Sequence, residues 1–74
     1  DAAVFGATLA PGQTVTHSLG EGRYAYLVPA RGAVTVNGDI VPARAGAAIR
    51  DVAEITITAA DGEAAEILLA DVPA

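Results

Sequence analysis

Short β-branched segments, each followed by a turn signal, constrain this chain more than any other feature of its sequence. Asn37-Gly38 stands between two apolar runs, and a type I′ turn needs positive φ at both central positions, which these residue types tolerate best. The dipeptide therefore predicts a hairpin between strands 33–36 and 39–41. Proline and glycine mark the other predicted turns and breaks: Pro11-Gly12, Gly20 to Gly22, Pro29 to Gly32, and Asp61-Gly62.

The segments between these turns alternate apolar and polar residues, as half-buried strands do. Isoleucines alternate with threonines in 54–59, and Val15, His17 and Leu19 share one face of 14–19. No stretch combines a helical apolar period with capping residues. Besides the hairpin we predict strands at 2–8, 14–19, 23–28, 47–51, 54–59 and 64–71, the spacing of an all-β sandwich or barrel.

The length of 74 residues suits one small domain. The chain has no cysteine for a disulfide, and much of its apolar content is alanine, which buries little area. A core of this kind is marginal when alone, so we expect a partner surface. The N-terminus, Asp1-Ala2-Ala3, is neither an initiating methionine nor a signal peptide. Residues 1–74 are therefore expected to be one domain of a longer chain.

Charge and hydropathy argue against two classes of partner. Four arginines against nine acidic residues give a net charge of −5, which disfavours a phosphate-binding surface for nucleic acid. No apolar run approaches the roughly 20 residues of a membrane helix. The absence of cysteine fits a cytoplasmic protein. We therefore expect neither nucleic acid nor a membrane as a partner.

An ordered series of short motifs resembles the cupins. A Pro-Gly turn before a histidine-bearing strand (11–17) is followed by a Gly–strand–Asn-Gly unit (31–38) and an Ala-Gly segment (45–49), an order that closes a small jelly roll in cupins. The chain is most similar to the C-terminal cupin half of pirin-like two-cupin proteins, a group that includes quercetin dioxygenase-like proteins. That likeness rests on a first strand at 3–9, the segment Gly12 to His17 and the ending Leu68 to Asp71. It implies an all-β, cupin-type jelly-roll sandwich or barrel.

The resemblance also implies that this half carries no metal cofactor. Metal-binding cupins use two histidines spaced by one residue, a glutamate and a further histidine. At the matching positions this chain has His17 followed by Leu19, then Ala25 and Ile57. One imidazole does not supply the several N or O ligands of a first-row metal site. In pirin-like proteins the metal and any dioxygenase chemistry are attributed to the N-terminal half, so we expect no catalytic residue and no cofactor here.

Three side chains are candidate ligand-binding groups. His17, the one histidine of the chain, is a relic metal ligand, a general base or a pocket hydrogen-bonder, or else a half-buried structural residue between Val15 and Leu19. In the structural interpretation one ring nitrogen bonds to backbone or to a tyrosine. Tyr24 and Tyr26 share one strand face, where they would line a pocket for a flat aromatic molecule or form a core or interface pair. The four arginines lie on separate segments and are expected in solvated surface ion pairs.

These observations leave three interpretations of function. The first is a non-catalytic cupin module that packs against the N-terminal cupin of a parent protein or against a second copy, most simply as a two-fold dimer. The second is a small-molecule-binding cupin that uses its barrel mouth, and the third is a metal-dependent dioxygenase. Ile67, Leu68 and Leu69 are the predicted interface, because their strand is apolar on both faces.

Overall fold

The computed structural model describes residues 2–73. The expectation that this chain is one domain of a longer one was based on the N-terminus, and Asp1 lies outside the described residues. Eight strands and no helix form in the described range, which accordingly contains no helix able to cross a membrane. The strands are β1 (Ala3–Leu9), β2 (Thr14–Ser18), β3 (Arg23–Arg31), β4 (Val34–Val36), β5 (Asp39–Val41), β6 (Ala47–Ile49), β7 (Glu54–Ala59) and β8 (Ala65–Pro73).

The strands form two antiparallel sheets that pack face to face. Sheet A has the order β1-β8-β3-β6, and sheet B has the order β2-β7-β4-β5. Alternate residues of each strand point between the sheets, where they form one apolar core. The largest of its fully buried side chains are Leu9, Leu27, Pro29, Val34, Ile55 and Ile57. The prediction of a small all-β jelly roll is confirmed.

The Asn37-Gly38 hairpin forms as predicted. Val34 pairs with Val41 and Val36 with Asp39, and φ is 49° at Asn37 and 93° at Gly38. The side chain of Asn37 also bonds to β7: its Oδ1 accepts the amide N–H of Thr56 at 2.8 Å, and its Nδ2 donates to the carbonyl of Glu54 at 3.2 Å. The hairpin is thus fixed to the centre of sheet B at its tip.

The predicted break at Pro29 is wrong, because β3 continues to Arg31 with a register shift between Pro29 and Arg31. The carbonyl of Pro29 accepts the amide of Arg44, on the side away from β8. The ring nitrogen of a strand residue lies on the same side as its carbonyl, so no hydrogen bond to β8 is lost. On the opposite side of β3, strand β6 pairs only with residues 25–27. No strand there requires an N–H donor at position 29, so a proline is tolerated.

Candidate functional site

A polar cluster between the sheets is centred on Asp71 of β8. Asp71 occupies the inward register of β8, continuing the line of Ile67 and Leu69, and is only 7 % exposed. Arg23 on β3 places its Nε 2.6 Å from Oδ1 of Asp71, and its Nη2 donates to the backbone carbonyl of Asp71 at 3.1 Å. His17 on β2 places its Nε2 2.9 Å from Oδ2. One carboxylate therefore joins a strand of sheet B to two strands of sheet A.

The cluster favours the ionised form of Asp71. The hydrogen bond from Arg23, and then the one from His17, lower the pKa of this carboxyl below its usual range, against the opposing effect of burial. An ionised carboxylate only accepts hydrogen bonds, which assigns a hydrogen to Nε2 of His17. The Asp71–Arg23 bond is the shorter of the two side-chain contacts, as expected for a charge-assisted pair.

The other side of the His17 ring meets Phe5 of β1. The ring centroids are 4.9 Å apart and the planes are tilted by 56°, a favourable aromatic arrangement. Phe5 pairs with buried Leu69 and so faces inward, yet it remains 46 % exposed. The sandwich is thus incompletely closed where β1 and β2 approach each other.

The polar cluster around Asp71 connects strands β2, β3 and β8. A His–Asp pair orients an imidazole, as in nucleophile-activating sites, but the neighbouring Ser18 points to the outer face of sheet B and cannot serve as the nucleophile. Within residues 2–73, no group of three or more His, Cys, Asp or Glu side chains is placed to hold a metal ion. The geometry that is present links the two sheets through the hydrogen bond between His17 and Asp71, and it joins β3 to β8 within sheet A through Arg23.

The structure does not bring the three candidate ligand-binding residues together. His17 points into the sandwich, whereas Tyr24 and Tyr26 lie on the outer face of sheet A, where they are about half exposed. Tyr24 carries the guanidinium of Arg50 at 5.8 Å from its ring centroid. It also borders a cleft of about 560 Å³ between the β2–β3 and β6–β7 connections.

The outer face of sheet A forms a second candidate site. The register places Val4, Ala70, Tyr26 and Ala48 in one row across all four strands, with Leu68 and Val28 in the next. Val4 is 71 % exposed and Leu68 53 %. We call this surface the apolar face, and it consists of Val4, Tyr24, Tyr26, Val28, Ala48, Leu68, Ala70 and Val72.

Of the three predicted interface residues, only Leu68 reaches this surface. Ile67 and Leu69 are buried in the core of the domain itself. Charged groups border the apolar face: the exposed Arg31–Glu66 pair, 3.6 Å apart, lies at one rim, and Arg50 lies at the other. An apolar surface rimmed by polar groups is typical of an interaction site.

Sequence reasoning did not identify Asp71, Arg23 or Phe5 as members of a site. Arg23 was expected in a solvated surface pair, but its partner is a buried carboxylate. One signal was available: Asp71 stands in the apolar register of an alternating strand, and a carboxylate at such a position needs a partner. The identity of that partner depends on strand order, which the alternation does not specify.

Comparisons with known proteins agree with this fold. Residues 1–72 match the family described as the quercetinase C-terminal cupin domain. A pirin-like protein of Caulobacter vibrioides is 56 % identical over 71 residues, which are 96 % of this chain and 30 % of that protein. The chain thus spans about a third of the length of the curated relatives it matches.

Two crystal structures of YhhW from Escherichia coli are also similar. One superposes with a TM-score of 0.93 at 29 % identity, covering 99 % of this chain and 30 % of that one. The other, a nickel(II) complex of this bacterial pirin, has a TM-score of 0.90 at 30 % identity, covering 99 % and 31 %. The chain therefore belongs to the family of quercetinase C-terminal cupin domains found in pirin-like proteins.

Proposed function

We propose that this domain is a non-catalytic assembly module whose apolar face packs against the rest of a pirin-like chain. The observation that carries the proposal is the apolar face itself. Side chains such as Leu68 and Tyr26 are held in register on a four-stranded sheet, yet they are about half exposed in the domain alone. Covering the exposed half of one such side chain stabilises an assembly by roughly 1 kcal/mol, about half of the gain from burying it in full.

The length of the relatives supports the choice of partner. The Caulobacter relative is more than three times as long as the matched segment, so a large part of such a protein is available to cover this surface in the same polypeptide. Packing within one chain avoids the translational entropy that an association of separate molecules costs. We place the assembled protein in the cytoplasm.

The proposal assigns metal chemistry to another part of the parent protein. The solved relative YhhW was crystallised with nickel(II), and the present chain covers 31 % of it. The single histidine of this chain has one ring nitrogen engaged by Asp71, and the domain would support a metal-bearing partner by shape and stability. Elemental analysis of the untagged 74-residue chain tests this part, since stoichiometric nickel, iron, copper or zinc would contradict it.

The packing role is tested in a chimera in which this chain replaces the matching segment of the Caulobacter relative. Leu68→Glu places a charge in the middle of the proposed contact, and Thr16→Glu places the same charge on the outer face of sheet B. We expect Leu68→Glu to lower the free energy of unfolding by about 2–3 kcal/mol and to separate one thermal transition into two. Equal losses in the two variants, or no loss in either, would refute the assembly role.

A further inference from the structure

Strand β1 presents the longest of the four sheet edges. It lies at the end of sheet A and pairs along seven residues with β8, without a bulge. The edges formed by β5 and β6 are three residues long, and that of β2 is five. Native proteins protect exposed edges with charges, prolines or bulges, and 3–9 contain none of these.

The hydrogen-bonding direction of β1 follows from the register of sheet A. The Pro29 carbonyl points away from β8, so Pro29 and Ile67 form a non-hydrogen-bonded pair, and Ile67 directs its backbone groups toward β1. Ile67 is opposite Ala7, so Ala7 bonds to β8. The alternate residues Val4, Gly6 and Thr8 therefore direct N–H and C=O groups to the free edge.

The charge distribution permits a second copy of the chain at this edge. Residues 2–20 contain no Asp, Glu, Lys or Arg, although the net charge is −5. On the adjacent strand β8, Glu66 is paired with Arg31, and Asp71 is held by Arg23 and His17. Two copies that meet at β1 thus bring together edge strands that carry no charged side chain, so like-charge repulsion across the contact is small.

We infer that β1 pairs antiparallel with β1 of a second copy about a two-fold axis at Gly6, which joins two copies of sheet A into one eight-stranded sheet. Gly6 is the midpoint of the strand, so this register pairs all seven residues. Gly6 then faces Gly6 of the second copy, and Val4 faces Thr8, and each of these pairs exchanges two backbone hydrogen bonds. This inference concerns the edge of sheet A and is independent of the apolar face.

The same pairing covers the exposed inner ring of β1. Phe5 lies opposite Ala7 of the second copy in this register, and the small alanine leaves room for the ring. Isologous contacts of this kind use one patch twice and close at the dimer. Backbone pairing at a sheet edge supplies affinity with little dependence on side chains, as in recognition by strand addition.

Cysteine substitution tests the axis directly, because the chain has no native cysteine. A Cβ at Gly6 would meet only ordinary contacts, 3.7 Å from Leu68 and 3.9 Å from Ile67, so Gly6→Cys should fold. Opposed Cα atoms in such a pair are about 5.5 Å apart, within the range of a disulfide. Val4→Cys is the control, because two Val4 positions would be roughly 14 Å apart along the strands.

The expected results are a light-scattering mass of twice the 7.3 kDa chain mass at high micromolar concentration and oxidative cross-linking of Gly6→Cys. Val4→Cys should not cross-link alone but should do so when mixed with Thr8→Cys. Amide exchange at Val4, Gly6 and Thr8 should slow as concentration rises. A monomer at all concentrations would overturn the inference and leave the edge to a strand from the parent chain. A dimer that cross-links through Leu68→Cys instead of Gly6→Cys would also overturn it.

Discussion

The outer face of sheet A and the outer face of sheet B are built on strands with the same alternation, but they meet solvent with different side chains. On sheet B, Thr14, Thr58 and Thr35 form a row across three strands, and exposed Ile40 ends this row on the edge strand β5. The hydroxyls of Thr14 and Thr58 are 2.9 Å apart. We call this surface the hydroxyl face. The corresponding row on sheet A is Val4, Ala70, Tyr26 and Ala48.

The comparison shows that inward and outward residues of the same alternating strands carry different information. Inward residues such as Ile55 and Leu27 are fully buried in either sheet, and they determine the fold. Outward residues are free to vary without loss of the core, so their chemistry reports what each face meets. Threonine suits a strand that faces water, whereas exposed side chains such as Leu68 and Val4 are expected on a surface that is covered in an assembled protein, as proposed above for the apolar face.

The largest expected effect comes from a substitution in the β3–β4 connection, which joins the sheet with the apolar face to the sheet with the hydroxyl face. Gly32 joins β3 of sheet A to β4 of sheet B, with φ at +72° and a Cβ position that would overlap the carbonyl oxygen of Ala64. Gly32→Ala should lower the free energy of unfolding by roughly 3 kcal/mol or more, since backbone strain and a steric clash add. Urea denaturation measures this loss.

Gly38→Ala is the matched control within one sheet. Gly38 has φ at +93°, but no atom lies within 4 Å of its Cβ position, so only the backbone conformation is penalised, by about 1–2 kcal/mol. If the two variants lost the same stability, the close approach at Gly32 would not contribute. The placement of the apolar face relative to the hydroxyl face would then be determined by core packing, and not by the close approach of Gly32 to Ala64.

The next effect concerns the polar cluster that ties the sheets. The pKa of Asp71 is lowered in the folded protein, so its contribution to stability is fully present above the ordinary carboxylate pKa of about 4. That contribution declines below this value and is lost as pH falls through the lower pKa of the folded state. Asp71→Asn should therefore be less stable than the unmodified chain at neutral pH, and the difference should shrink as the solution is acidified. Urea midpoints measured across the acid range report this directly.

Glu66→Gln provides the comparison for an exposed acid. Glu66 faces Arg31 at 3.6 Å on the rim of the apolar face, where an ion pair contributes little. Its removal should change stability only slightly at any pH. A loss for Asp71→Asn that stays constant with pH would show that shape, and not charge, makes Asp71 important.

Contacts between side chains of different sheets could not be predicted from the sequence, whereas local elements could. The hairpin at Asn37-Gly38 and strand β7 were predictable, because local turn chemistry and alternation determine them. The contact between His17 and Asp71 was not, because the residues are 54 positions apart and their meeting depends on which strands become neighbours across the core. The prediction of a break at Pro29 was wrong for a related reason. A proline fits within β3 because β6 pairs only with residues 25–27, and the sequence does not show where that pairing ends.

A smaller effect is expected at the tip of the hairpin that completes sheet B. Asn37→Gly keeps the positive φ but removes the side-chain bonds to Thr56 and Glu54, and should cost about 1 kcal/mol. Asn37→Ala loses the same bonds and also strains the backbone, so its cost should be about 1–3 kcal/mol. Equal stability of the Asn37→Gly variant and the unmodified chain would mean that the turn conformation alone fixes the hairpin.

The smallest effect on stability, and the most direct test of the two faces, is a reciprocal exchange in the isolated chain. Leu68→Thr and Thr16→Leu alter exposed positions, so each should change the free energy of unfolding by no more than about 0.5 kcal/mol. Retention on a hydrophobic-interaction column should nevertheless respond unequally. Leu68→Thr interrupts a continuous apolar surface and should reduce retention markedly, whereas a single leucine among hydroxyls at position 16 adds no such surface and should raise it little. Shifts of equal size and opposite sign would show that retention counts individual side chains, and the apolar face would lose its standing as a single interaction surface.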